Sequence, residues 1–145
     1  MVRLESAVRN VELIGAAAGL GAPDASVALG PAYLQAHRLE DVLAEAGIAA
    51  RWSPLLAPRF HAPRARAVRE FCGRLGGRVH TTLRKGAFPL VFGGDHSVAA
   101  GTWRGVADFV QPAGGLGLLW IDAHMDAHTL ATTPSHGFMR YRTMR

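Results

Sequence analysis

Asp122, His124, Asp126 and His128 stand at alternate positions in the stretch DAHMDAH. In an extended segment, residues two apart project to one side. This spacing lets Asp122, His124 and Asp126 converge while Ala123 and Met125 turn away. Two carboxylates and an imidazole crowded together repel one another and are costly to remove from water. A divalent cation relieves both problems, and mixed Asp and His donors suit Mn²⁺, Fe²⁺ or Zn²⁺. No cysteine lies nearby, which argues against a structural zinc site. A second stretch, GGDHS, carries Asp95 and His96. Gly93 and Gly94 allow a tight turn there, and His96 is a candidate fourth donor to the same centre. Taken singly, His96 reads as an ordinary surface histidine and Asp122 as a loop or capping residue. It is D-x-H-x-D joined with G-G-D-H-S that points to a metal.

Both stretches follow apolar runs that read as buried strands. FPLVF (Phe88 to Phe92) precedes GGDHS, and LGLLWI (116–121) precedes DAHMDAH. VELIGA (Val11 to Ala16) is an earlier β-prone run. The glycines of the GAAAGLGAP loop after it fit neither standard phosphate-binding motif. Pro31 can begin a helix. Leu39, Val42, Leu43 and Ala46 then give an apolar helical face, and Gly47 is placed to end it. IAARW is a candidate second strand, and SPLLAPRFHAP a linker punctuated by proline. Val68, Phe71, Cys72, Leu75, Val79 and Leu83 recur at three and four, which predicts a helix. Gly76 and Gly77 inside it point to close packing against a neighbour or a local irregularity. A last helix is expected over about 98–110. Strands alternating with helices predict an α/β fold whose parallel sheet is covered on both faces. In such sheets ligands bind beyond the carboxyl ends of the strands, where both polar motifs fall.

The 145 residues, 49% hydrophobic and 19% charged, suit one globular domain. The formal charge is +5, but the arginines are scattered and no basic run is interleaved with aromatics, so no nucleic-acid partner is expected. No apolar run approaches the roughly 20 residues of a membrane helix, so no membrane partner is expected either. Cys72 is the single cysteine. An internal disulfide is impossible, and a reducing, cytoplasmic location is the natural reading. Its helical spacing marks Cys72 as packed rather than reactive.

GGDHS and DAHMDAH are similar to the signature motifs of the ureohydrolases, the arginases, agmatinases and related guanidino hydrolases. The opening VELIGA…GAPDA…GP also resembles the start of an arginase-type domain, and DAHMDAHT…TTPS leans towards the arginase branch. The resemblance covers about residues 11–134. It implies a three-layer α/β/α sandwich around a mainly parallel sheet, incomplete at the C-terminus. Residues 1–137 would be the N-terminal part of a single arginase-like domain, and 138–145 an aberrant basic tail.

The resemblance further implies a centre of two Mn²⁺ ions. His96 and Asp126 would bind one ion, His124 the other, and Asp122 would bridge them. A hydroxide between the ions would attack the guanidinium carbon, and a tetrahedral intermediate would collapse to urea and an amine, ornithine if the substrate is arginine. Two metals acidify bound water enough for this at neutral pH. Asp126 and His136 are then the catalytic candidates, His136-Gly137 matching a His-Gly that helps to shuttle protons in arginases. His128 stands where many arginases carry a substrate-contacting asparagine, which makes it the candidate substrate-binding residue. The family's later S-x-D-x-D pattern does not occur in this sequence, so impaired activity is expected. Homo-oligomers form in complete relatives and are expected of a complete version here. Two alternatives stand beside arginase activity on a guanidino substrate: a non-catalytic remnant that binds metal weakly, or an agmatinase or other guanidino hydrolase. A phosphoesterase using D-x-H is disfavoured, because its usual later asparagine-histidine and histidine motifs are lacking.

Overall fold

A computed structural model describes residues 10–59 and 63–123. The candidate residues His124, Asp126, His128 and His136 lie outside the described residues. The chain divides into two units, Met1–Gly115 and Leu116–Arg145. All the regular elements described fall in the first. They are β1 (Val11–Ala16), a 3-10 turn (Ala25–Leu29), α1 (Gly30–Ala36), α2 (Leu39–Glu45), β2 (Ala50–Trp52), α3 (Arg64–Arg84), β3 (Phe88–Gly93), α4 (Ser97–Val110) and a closing 3-10 turn (Gln111–Ala113). Among the described residues no helix is long and apolar enough to cross a membrane.

The sheet runs β2-β1-β3, and both pairs are parallel. Leu13 stands opposite Trp52 on one side and Leu90 on the other. β1 is buried along its whole length, as a central parallel strand must be. Its side chains alternate between faces. Ile14 and Ala16 join Phe71, Leu75 and Val79 of α3 in the main core cluster. Gly15 faces the other way, and a Cβ there would meet Leu55 and Pro31 of α1. Helices thus cover both faces. Right-handed crossovers require this arrangement, since β2 and β3 flank β1 on opposite sides.

α3 forms where the three-and-four spacing predicts it, and Val68, Phe71, Cys72, Leu75 and Val79 are all buried. Its contact with α4 is built on backbone. A Cβ at Gly101 would sit 2.8 Å from the Cys72 carbonyl oxygen, and one at Gly76 would sit 3.0 Å from the Gly101 oxygen. At Gly105 a Cβ would strike the Gly76 carbonyl and lie 2.8 Å from Val79 Cβ. Close packing therefore explains Gly76. It does not explain Gly77, which has open space around it. Cys72 lies in the same seam, its thiol donating to the Ser97 carbonyl at 3.2 Å. Burial is the main influence pushing that thiol's pKa up, which suits a packed, unreactive cysteine.

Four expectations are corrected. The helix begun at Pro31 is broken in two. Arg38 takes a left-handed conformation (φ 54°) between α1 and α2. The His37 ring stacks on Tyr33 and its Nδ1 is 2.8 Å from the Tyr33 carbonyl oxygen, so a side chain occupies an acceptor at the end of α1. The apolar face of α2 is only half covered, with Leu39 and Leu43 half-buried but Val42 and Ala46 exposed. Gly47 ends α2 as expected (φ 79°). β3 is half-buried rather than buried, and Phe88 is 51% exposed. Among the described residues β3 has a strand neighbour on one side only. The largest correction concerns 116–121. This run is irregular, with Leu119 80% and Ile121 88% exposed. Apolar character records a demand for burial, but the ladder and the covering layer that make a strand come from elsewhere in a fold.

Gly77 on α3 and Gly105 on α4 should respond oppositely to change. Gly77→Ala should stabilise the chain by about 1 kcal/mol, the helix-propensity difference at an open site. Gly105→Ala on α4 should destabilise it by about 1–3 kcal/mol through overpacking. Urea unfolding midpoints of the two variants should move in opposite directions from the parent.

Candidate functional site

β1 and β3 are paired in register to their ends, with Ala16 opposite Gly93. The loops that follow them therefore leave the sheet side by side at its carboxyl-end rim. They touch closely. A Cβ at Gly94 would strike the Ala18 carbonyl oxygen and lie 2.9 Å from that of Val27, so only glycine admits the backbone here. Asp95 then locks the loops together. Its Oδ2 accepts from the Gly21 N–H at 2.8 Å, and its Oδ1 accepts from the Ser97 N–H at 2.8 Å. The second bond satisfies an otherwise orphaned donor at the start of α4.

This settles the division of labour within GGDHS. Asp95 has both carboxylate oxygens committed to backbone N–H groups. His96, at the N-cap position of α4, is exposed, and it stands on the rim beyond β3 as its sequence position implies. Ser97 contributes its backbone to both the Asp95 and Cys72 bonds. Its hydroxyl is buried with no hydrogen-bond partner among the described residues. Sequence reasoning placed Asp95 on the rim but assigned it no role. The signal was available, since an aspartate just before a helix is a standard capping pattern.

Asp122 lies in the second unit, exposed, in irregular chain just after 116–121. Its expected partners His124 and Asp126, and the catalytic and substrate candidates His136 and His128, fall outside the described residues. Among the described residues no group of three or more His, Cys, Asp or Glu side chains is gathered as a metal site requires. Gly15, Gly19 and Gly21 form a strand-to-loop turn, and the amide of Gly21 is taken by Asp95 rather than left open to a phosphate.

Comparison with known proteins bears on the same motifs. A family model described as the Arginase family matches residues 9–145. The chain is 33% identical over 147 residues to an arginase of Agrobacterium fabrum, a match covering 92% of this chain and 44% of that protein. It is 48% identical over 58 residues to a formimidoylglutamase of Cupriavidus pinatubonensis, covering 38% of this chain and 18% of that one. The crystal structure of an arginase from Bacillus subtilis superposes with a TM-score of 0.78 at 30% identity, covering 90% of this chain and 44% of that one. The chain thus spans less than half the length of these relatives.

The Asp95 clamp is open to direct test. Asp95→Ala should cost about 1.5–3 kcal/mol, the range for a hydrogen bond to a charged group, because both bonds are only part-buried. Asp95→Asn, which keeps one acceptor oxygen, should cost less. Amide hydrogen exchange at Gly21 and Ser97 should speed up in the alanine variant, while exchange in β1 should change only with global stability.

Proposed function

The chain belongs to the arginase family, and on that footing we propose that it is a manganese-dependent ureohydrolase acting on L-arginine to give L-ornithine and urea. The observation that carries this reading is the built form of GGDHS. Asp95 is spent on structure, and His96 is left exposed on the rim where ligands of parallel α/β sheets bind.

The donor chemistry fits a divalent metal. His96 offers an exposed imidazole and Asp122 an exposed carboxylate, and His124 and Asp126 complete the alternating motif. In this proposal these four residues hold Mn²⁺. The bound metal supplies water acidified enough to react near neutral pH. The remaining roles belong to the chain's own groups. Asp126 helps to orient the reacting water, His136 carries a proton to the departing amine, and His128 hydrogen-bonds the amino-acid end of the substrate. The single buried thiol is in keeping with a reducing, cytoplasmic setting, and assembly into homo-oligomers belongs to the same proposal.

The four donors contain two carboxylates and two neutral imidazoles. Two like unit charges about 4 Å apart already interact by about 4 kcal/mol at an effective dielectric of 20, and doubly charged ions by more. These four donors by themselves would hold one Mn²⁺ firmly and a second weakly.

Isothermal titration should show about one Mn²⁺ per chain, with affinity falling at least about tenfold in Asp122→Ala, a change of about 1.4 kcal/mol. Urea release from L-arginine should depend on Mn²⁺ and on Asp122 and exceed release from agmatine. No Mn²⁺-dependent urea from either substrate would overturn the reading. Preference for agmatine would move it to another guanidino hydrolase.

A further inference from the structure

Ser97 opens α4, and all but one of its polar groups are in use. Its N–H donates to Asp95 Oδ1 at 2.8 Å, and its carbonyl accepts from the Cys72 thiol at 3.2 Å. The residue is only 8% exposed, and its hydroxyl is buried without a hydrogen-bond partner. Among the described residues no other buried side-chain polar atom is left so. A buried hydroxyl without a partner lowers stability, and folded proteins pair nearly all such groups. Alanine would fill almost the same space without that cost. The fold taken alone therefore gives no reason for the Ser97 hydroxyl.

The position of the hydroxyl narrows what it can serve. The first turn of α4 offers no open anion site. Asp95 takes the Ser97 N–H, the Val98 N–H donates to the Asp95 carbonyl at 3.3 Å, and the Ala99 N–H donates to the His96 carbonyl at 3.1 Å. Asp95 has both carboxylate oxygens on backbone N–H groups. Within GGDHS, the Ser97 Oγ is thus the one side-chain oxygen not already committed. Its neighbour is His96, about 3.8 Å away at Cα. A histidine that ligates a metal through one ring nitrogen is oriented by a hydrogen bond at the other. A serine hydroxyl can accept that bond, and it turns about a single χ1 torsion between staggered positions. The Asp95 clamp fixes the backbone on both sides of His96, so only the two side chains need to move.

We propose that Ser97 is a positioning residue, whose hydroxyl accepts a hydrogen bond from the non-ligating ring N–H of His96 when the metal is bound. The inference rests on the metal-binding role of His96 proposed above. Its test sets metal affinity against metal-free stability. Mn²⁺ is titrated calorimetrically into the full chain, and thermal melts are recorded in EDTA. Ser97→Ala should melt at or above the parent temperature, because it removes a buried unpaired hydroxyl. The same variant should bind Mn²⁺ at least about tenfold more weakly. A residue that merely supports the fold would lower both quantities together, so opposed signs mark the positioning role. In a His96→Ala background, Ser97→Ala should leave the remaining Mn²⁺ affinity unchanged, since the two residues act as a unit. The inference alone is overturned if Ser97→Ala binds Mn²⁺ as the parent does, if it melts lower than the parent in EDTA, or if its effect persists without His96. A parent chain that binds no Mn²⁺ overturns the metal reading and this inference together.

Discussion

Everything at the rim of this sheet depends on one carboxylate. Asp95 joins backbone groups 74 residues apart in the chain, at Gly21, and two residues apart, at Ser97. The long bond ties the loop after β1 to the loop after β3. The short bond starts α4. His96 lies between the two anchored positions, so its backbone is held from both sides while its imidazole stays at the surface. The clamp works only because Gly94 has no side chain, since any Cβ there would collide with the Ala18 carbonyl and hold the loops apart. A negative charge at the first turn of a helix is also favoured by the helix dipole, so the same group helps α4 begin where it does.

Below the rim, the depth of the fold is set by how closely α4 approaches α3. Gly76, Gly101 and Gly105 let each helix rest on the other's carbonyl oxygens. That approach brings Ser97 over Cys72, and it lets Val98 and Val106 reach the cluster of Ile14, Ala16, Phe71, Leu75 and Val79. Core, helix seam and rim loops are therefore one connected arrangement, in which the position of the histidine follows from backbone contacts several turns away.

Local physics made much of this legible in the sequence. The spacing from Val68 to Leu83 identified α3 because a helix repeats its buried face every three or four residues. FPLVF and VELIGA read as strands, and GGDHS fell at a strand end, because turn residues bounded them. What depended on distant partners was not legible. Gly76 and Gly77 look alike in the sequence and differ only because α4 faces one of them. Gly105 drew no notice for the same reason. The break at Arg38 involves neither glycine nor proline, and the contact that accompanies it, His37 on Tyr33, cannot be seen in any periodicity. The run 116–121 read as a buried strand because its composition states a need without naming what meets it. The clamp itself was half visible, since the Ser97 bond is a local capping pattern while the Gly21 bond is long-range.

The exposure of 116–121 gives the chain two opposed surface characters. The first unit carries scattered charge that contributes to a net +5, and like-charged molecules keep apart in dilute buffer. The run LGLLWI has no charge and no proline, only one glycine, and side chains exposed to water, which is the make-up of a segment that stacks against copies of itself. Salt shortens the reach of the first influence to about 8 Å at physiological ionic strength and leaves the second untouched. In salt, exposed apolar side chains, these among them, therefore weigh more in self-association than the overall charge does. A charged side chain placed within the run would oppose that self-association at its apolar surface.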